Sequence, residues 1–126
     1  MVEIDVKNKL LSTLKTIAAY PTGWDGEDSK QATAEAIEEA KVFIDLLNEK
    51  GLLSRNPHLS LCNDGEVNFW WRSEGRGVVD VGFYGTGVYS YYAYAYGTEY
   101  MADANLHKEI SHDYDLFFAI SQLVNR

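Results

Sequence analysis

At Pro57 the hydrophobic period of the chain changes from 3.6 to 2, and this change most narrows what the chain can fold into. From His58 to Tyr96 large apolar residues alternate with polar or smaller ones. Three short Gly-containing stretches interrupt the run: Asn63-Asp64-Gly65, Glu74-Gly75-Arg76 and Gly85-Thr86-Gly87. A one-residue slip in a hairpin moves a strand's whole apolar set to the other face, so each loop length can be tested by what it pairs. A two-residue Asp64-Gly65 turn sets Leu61 opposite Asn68. A three-residue loop sets Leu61 opposite Val67 and Leu59 opposite Phe69, with Gly65 at the position that needs positive φ. The same criterion sets Trp71 opposite Val79, Val67 opposite Phe83, Phe83 opposite Tyr89, and Val79 opposite Ala93. One continuous apolar face results, running from Leu59 and Leu61 across to Ala93 and Ala95.

That face has to be covered, and the amphipathic helices are the cover at hand. The first, about residues 4–19, carries Leu10, Leu11, Leu14, Ile17 and Ala18 on one side and Lys7, Lys9 and Lys15 on the other. Pro21 and Gly23 stop it. The second, about residues 29–50, places Ala36, Ile37, Ala40, Phe43, Ile44 and Leu47 inward. Glu35, Glu38, Glu39, Lys41 and Asp45 fall on its outer side. Asp28 with Gln31 resembles a capping box, and Thr33 offers a later start. A third helix, about residues 111–125, carries Tyr114, Phe117, Phe118 and Leu123. Glu99-Tyr100-Met101-Ala102 reads either as a short fifth strand or as a loop. The expectation is a single α+β domain over residues 1–126. It has two N-terminal helices, a four-stranded antiparallel meander extendable to five, and a C-terminal helix.

Composition removes several functional classes. With 11 Lys and Arg against 19 Asp and Glu, the net charge is −8. Direct nucleic-acid binding, which needs clustered cations to neutralise phosphates, is not expected. A single cysteine, Cys62, rules out an internal disulfide and a Cys-based zinc cage, and fits a reducing compartment. No apolar run is long enough to span a bilayer, and the acidic start does not read as a signal peptide. The expected location is the cytoplasm of a bacterial cell, or of the host if the chain is phage-encoded, with no membrane association.

The strand alignment leaves a second sheet face, with rows Asn68–Gly82–Ser90, Trp70–Asp80–Tyr92 and Arg72–Val78–Tyr94, and Tyr96 beyond. Trp70, Tyr92, Tyr94 and Tyr96 beside Arg72 and Asp80 are the mixture that protein interfaces favour, and these six residues are the expected partner-binding set. Two plainer readings stand beside it: cross-strand pairing on a wet sheet, or a second core under one of the helices. Asp80 is the best candidate acid, with Arg72 as a simple ion-pair partner. Cys62 lacks an activating histidine. His107 and His112, five residues apart, are poorly spaced for joint ligation, so that stretch reads as a solvated acidic turn. The Gly82–Gly87 stretch has neither the following helix nor the lysine of a phosphate cradle. No catalytic residue, metal or cofactor is expected. Gly23-Trp24-Asp25-Gly26 reads as a turn that tucks Trp24 under the domain, with Asp25 bonding its own loop.

Trp24-Asp25-Gly26, the Ala-rich helix after it, and Asp64-Gly65-Glu66-Val67-Asn68-Phe69-Trp70-Trp71 resemble a scattered group of small uncharacterised bacterial and phage-borne proteins. Those share a Gly-Trp-(Asp/Asn)-Gly turn, a helix, and an Asp-Gly-(Glu) hairpin ending in Trp. The resemblance covers about residues 23–83. The chain departs from the pattern in lacking a proline near the helix start, and its Tyr-rich strand is additional. The resemblance implies a conflict-related or regulatory role and carries over no catalytic residue.

The leading expectation is a small acidic non-enzymatic binding protein, an inhibitor or antitoxin-like, anti-defence factor. It would act on a protein partner with a basic surface through the aromatic face and the acidic surface. Two alternatives are a hydrolase-like enzyme using Asp80 and a histidine, and a self-associating module whose open face forms a homodimer.

Overall fold

The computed structural model describes residues 2–124, with side chains over 5–102 and 105–124. Its elements are α1 (Val2–Ala18), α2 (Ala34–Glu49), β1 (His58–Leu61), β2 (Val67–Ser73), β3 (Gly77–Phe83), β4 (Val88–Ala95), β5 (Thr98–Leu106), a 3₁₀ turn (His107–His112) and α3 (Tyr114–Val124). The strands form one antiparallel sheet in the order β1-β2-β3-β4-β5, so the class is α+β with a five-stranded meander. The fifth strand, left open by the sequence, turns back from β4 through Tyr96-Gly97. Both residues have positive φ, +50° and +85°, as a two-residue hairpin turn requires.

The register is the one set by loop length. Leu61 pairs with Val67, Phe69 with both Leu59 and Val81, and Tyr91 with Val81. Gly65 sits at φ +95°, and the Cys62 and Glu66 backbones close the three-residue loop. All twelve apolar positions from Leu59 to Ala95 on the aligned face are buried. Phe43 of α2 is the hub above them. Its ring lies 5.0 Å from Phe69, 5.3 Å from Phe83, 6.4 Å from Trp71 and 6.1 Å from Phe117 of α3. α1 packs on α2 and β1, and α3 on β2 through β5, so every helix lies on that one face.

Three local expectations are corrected. α2 starts at Ala34, not near Ser29, and Thr33 caps it by accepting from Ala36 N at 3.0 Å. The Asp28–Gln31 box does not form: the Gln31 side-chain oxygen accepts from Thr22 Oγ1 at 2.7 Å, and the chain here is held in a loop by the Lys30 backbone. Its N–H donates to Asn63 O at 2.8 Å, and its carbonyl accepts from Trp24 Nε1 at 2.8 Å. Ser29, not Asp25, ties the Trp24 turn, accepting from Asp25 N and donating to Gly26 O. The C-terminal segment breaks at Asp113, which caps α3 through Leu116 N. Tyr114 and Phe118 then face solvent while Phe117 and Leu123 are buried; Asn125 lies outside the described residues.

Glu39 is the largest departure. Read from sequence as an outer-face residue of α2, it is buried, and its carboxylate accepts from Gly85 N at 2.9 Å and Gly87 N at 3.0 Å. Contrary to the sequence reading of a plain hairpin loop, the β3–β4 loop offers an amide cradle for an anion, and the chain's own carboxylate fills it. A Cβ on Gly85 would lie 2.4 Å from Thr33 Oγ1 and 2.6 Å from Ala36 N, whereas one on Gly65 would have ordinary contacts. Gly65→Ala should therefore lower stability by about 1 kcal/mol through backbone conformation alone. Gly85→Ala adds overpacking against α2 and should cost about 2–4 kcal/mol. Denaturant melts of the two variants should separate in that order, and equal losses would contradict the α2–loop contact.

Candidate functional site: the helix-free face of the sheet

With every described helix on one side, the opposite face of the sheet has no helix over it among the described residues. Five of the six residues expected in the partner-binding set, Trp70, Arg72, Asp80, Tyr92 and Tyr94, have the strand parity of that face, and Tyr96 follows in the β4–β5 turn. Arg72 and Asp80 are exposed, Trp70 is half-buried, and Tyr92, Tyr94 and Tyr96 are 36%, 43% and 57% exposed. The rows are as aligned, Trp70–Asp80–Tyr92 and Arg72–Val78–Tyr94. Two neighbours were not in the set. His58 of β1 lies against Trp70 with the rings tilted and 4.7 Å between centroids, and Met101 of β5, 66% exposed, pairs with Tyr92. Met101 escaped the sequence reading because the fifth strand itself was undecided.

Charged residues lie along the whole length of this face. At the β1–β2 loop end lie Asp64 and Glu66, with Asp80 mid-sheet; at the other end lie Arg72 and Arg76. The expected Arg72–Asp80 ion pair is not formed, and the described ion pairs are Lys7–Asp45 and Lys41–Glu38. Asp80 accepts from Asn68 Nδ2 at 2.5 Å, and Asn68 is buried with its amide also on Val81 O. Two rows separate Arg72 from Glu66 along β2, and Glu99 of β5 lies opposite Tyr94 in the Arg72 row, so the arginine end of the face carries a carboxylate as well.

At the β1–β2 loop end, Cys62, Asp64 and Glu66 bring ligand atoms within 4.8 Å of one another, the one such group among the described residues. Its chemistry is subdued. Burial, with the neighbouring carboxylates, pushes the Cys62 thiol up to about 12, far from a reactive thiolate. Asp64 accepts from the Tyr84 hydroxyl at 2.7 Å, and this bond holds its carboxyl below the ordinary range. Glu66 lies across Gly82, where a Cβ would collide with its carboxylate. Asp80 makes no hydrogen bond to a histidine. His107 Nε2 is buried without a partner among the described residues, its ring edge-on to Phe83 at 5.8 Å, and His112 is exposed beside Asp113. Asp113 instead gathers the hydroxyls of Tyr89 and Tyr91, whose phenols burial raises above their usual range.

No family model, curated protein or solved structure matches the chain. No described helix is long and apolar enough to cross a membrane.

Burial raises the Glu66 carboxyl above its ordinary range, with the Cys62 hydrogen bond opposing and Asp80 and Asp64 reinforcing the rise. The folded chain therefore holds this proton more tightly than the unfolded chain does. Glu66 supports the fold fully below its unfolded pKa, and that support is lost as pH rises through the raised value. Glu66→Gln should melt higher than the parent at pH 7, and the gap should close toward about pH 4. Melts that differ equally at both pH values would contradict a half-buried Glu66 whose carboxyl is raised by burial.

Proposed function

We propose that the chain is a non-enzymatic binding protein that docks a protein partner with its helix-free sheet face. The observation that supports this reading is the exposure of Tyr92, Tyr94, Tyr96 and Met101, with half-buried Trp70 across Asp80 from Tyr92, on a sheet face that no described helix covers. Exposed apolar patches of this kind mark interaction sites on otherwise ordinary surfaces. Rigid rings with polar tips supply contact area at low entropy cost, and interface hot spots are enriched in Trp, Tyr and Arg. The acid excess is shared along the chain, with seven Lys and Arg against ten Asp and Glu before Pro57, and four against nine from there on. Such a field favours a partner with a basic surface and speeds its approach. An inhibitor or antitoxin-like, anti-defence role in a bacterial or phage-infected cell is the biological form we assign to it.

Phe69 and Trp70 are adjacent yet point to opposite faces, and their contrast is the test. Phe69→Ala should destabilise the fold by about 3–5 kcal/mol, as buried aromatic truncations do. Trp70→Ala and Tyr92→Ala should leave the melting temperature nearly unchanged and weaken partner binding by about 2 kcal/mol. Light scattering on the isolated chain separates the readings: a concentration-independent monomer supports a foreign partner, and a symmetric dimer broken by Trp70→Ala replaces it with self-association. Turnover lost on Asp80→Asn with folding intact would favour the enzyme reading.

Steering by the acidic surface has its own signature. The association rate with the partner should fall steeply between low and physiological salt, because exposed charges are screened beyond about 8–10 Å. A rate indifferent to salt would remove electrostatics and leave the aromatic face alone.

A further inference from the structure

The arginine end of the open face carries an open hollow of about 620 Å³ between the β2–β3 turn and the β4–β5 hairpin, lined by Arg72, Arg76, Val78, Tyr94, Tyr96 and bare glycine backbone, with Glu99 opposite Tyr94 on the next strand. Two of the four cations from Pro57 onward are thus placed in one hollow of a chain with net charge −8. Neither guanidinium meets a carboxylate among the described ion pairs, and Arg76 Nη1 is buried with no hydrogen-bond partner among the described residues. A buried, unanswered guanidinium N–H is costly, and a fork of donors matches a carboxylate or phosphate.

The hollow is also held in shape. Arg76 N donates to Ser73 O, and Tyr96 N donates to Arg76 O, so the turn that carries Arg76 is tied to the hairpin that carries Tyr96. Gly77 is required beneath it, since a Cβ there would lie 1.7 Å from Tyr94 O. Tyr96 is the one non-glycine residue at positive φ among the described residues, in a turn position that Asn or Gly fills without strain. A phenol kept at such a cost on the rim of an arginine-lined hollow is the kind of outlier that marks a ligand site.

We propose that this hollow binds an oxyanion, a phosphate or carboxylate group held by Arg72 and Arg76, with the attached organic body resting on Val78, Tyr94 and Tyr96. The site shares Arg72, Tyr94 and Tyr96 with the protein-docking face, but it does not depend on that reading, because Arg76 and the hollow stand without a partner protein. The long-range field of the chain opposes an anion, so binding has to come from short-range donors inside the hollow and from ring contact.

The test is a heteronuclear NMR titration of the full chain, at constant ionic strength, with inorganic phosphate, phenyl phosphate, acetate and benzoate, and chloride as the control. Saturable shifts at the Gly75, Gly77 and Gly97 amides and the Arg72 and Arg76 side chains are expected, tighter for phenyl phosphate or benzoate than for inorganic phosphate or acetate. Arg76→Gln should weaken binding at least tenfold with an unchanged or raised melting temperature. Arg72→Gln should do the same and serves if the first variant folds poorly. Preference for the phosphates assigns a phosphoryl ligand, and equal or better binding of benzoate assigns a carboxylate such as an acidic side chain. Trp70→Ala should leave the titration unchanged, which keeps failure of the docking face distinct from failure of this site. Shifts that do not saturate, that chloride reproduces, or that survive both arginine substitutions would overturn the proposal.

Discussion

Phe43 seats the helical layer on the sheet, and the rest of the molecule follows from where it sits. Its ring meets Phe69, Trp71, Phe83 and Phe117, so one side chain joins α2 to two strands and to α3. Each helix has one apolar side and the sheet has one fully apolar face; packing them together uses up the apolar surface that can cover a sheet. The opposite face is left to water as a consequence. Its aromatic residues are therefore left without a helix over them.

Polar chemistry inside the fold is directed inward in the same way. The Gly85–Gly87 amides, which in another setting would attract a ligand anion, are satisfied by Glu39. The hydroxyls of Tyr89 and Tyr91 converge on Asp113, which also caps α3. Cys62 is insulated by burial and by carboxylates. These groups are partnered or quenched, whereas Arg72, Arg76, Tyr94 and Tyr96 are not, and the contrast draws attention to the arginine end of the open face.

Register and faces were legible in the sequence because alternation has a period of two: a wrong loop length puts Leu61 opposite Asn68, which no packing repairs. Five of the six face residues followed from that register by parity. What was not legible depended on contacts distant in the chain. Glu39 has outer-face company in Glu35 and Glu38, and only the approach of a loop 46 residues away draws it inward. The start of α2 was misplaced because the Lys30 carbonyl is taken by Trp24 and its N–H by Asn63, and neither contact has a local signature. Arg76 read as a turn residue, and its place in a hollow depends on the fifth strand, whose hairpin brings Tyr96 beside it. The Tyr96-Gly97 turn carried the clue, a glycine after the last alternating residue, but the tyrosine in front of it masked the hairpin.

One sheet face is core, and the other is open in the free chain. Photochemically induced nuclear polarisation of the isolated protein at low micromolar concentration reads this directly, since it enhances only aromatic rings that a dissolved dye can touch. Trp70, Tyr92, Tyr94 and Tyr96 should give enhanced signals while Trp71, their neighbour on the buried side, stays silent. A silent Trp70 with an enhanced Trp71, or silence from all four face residues, would contradict the account.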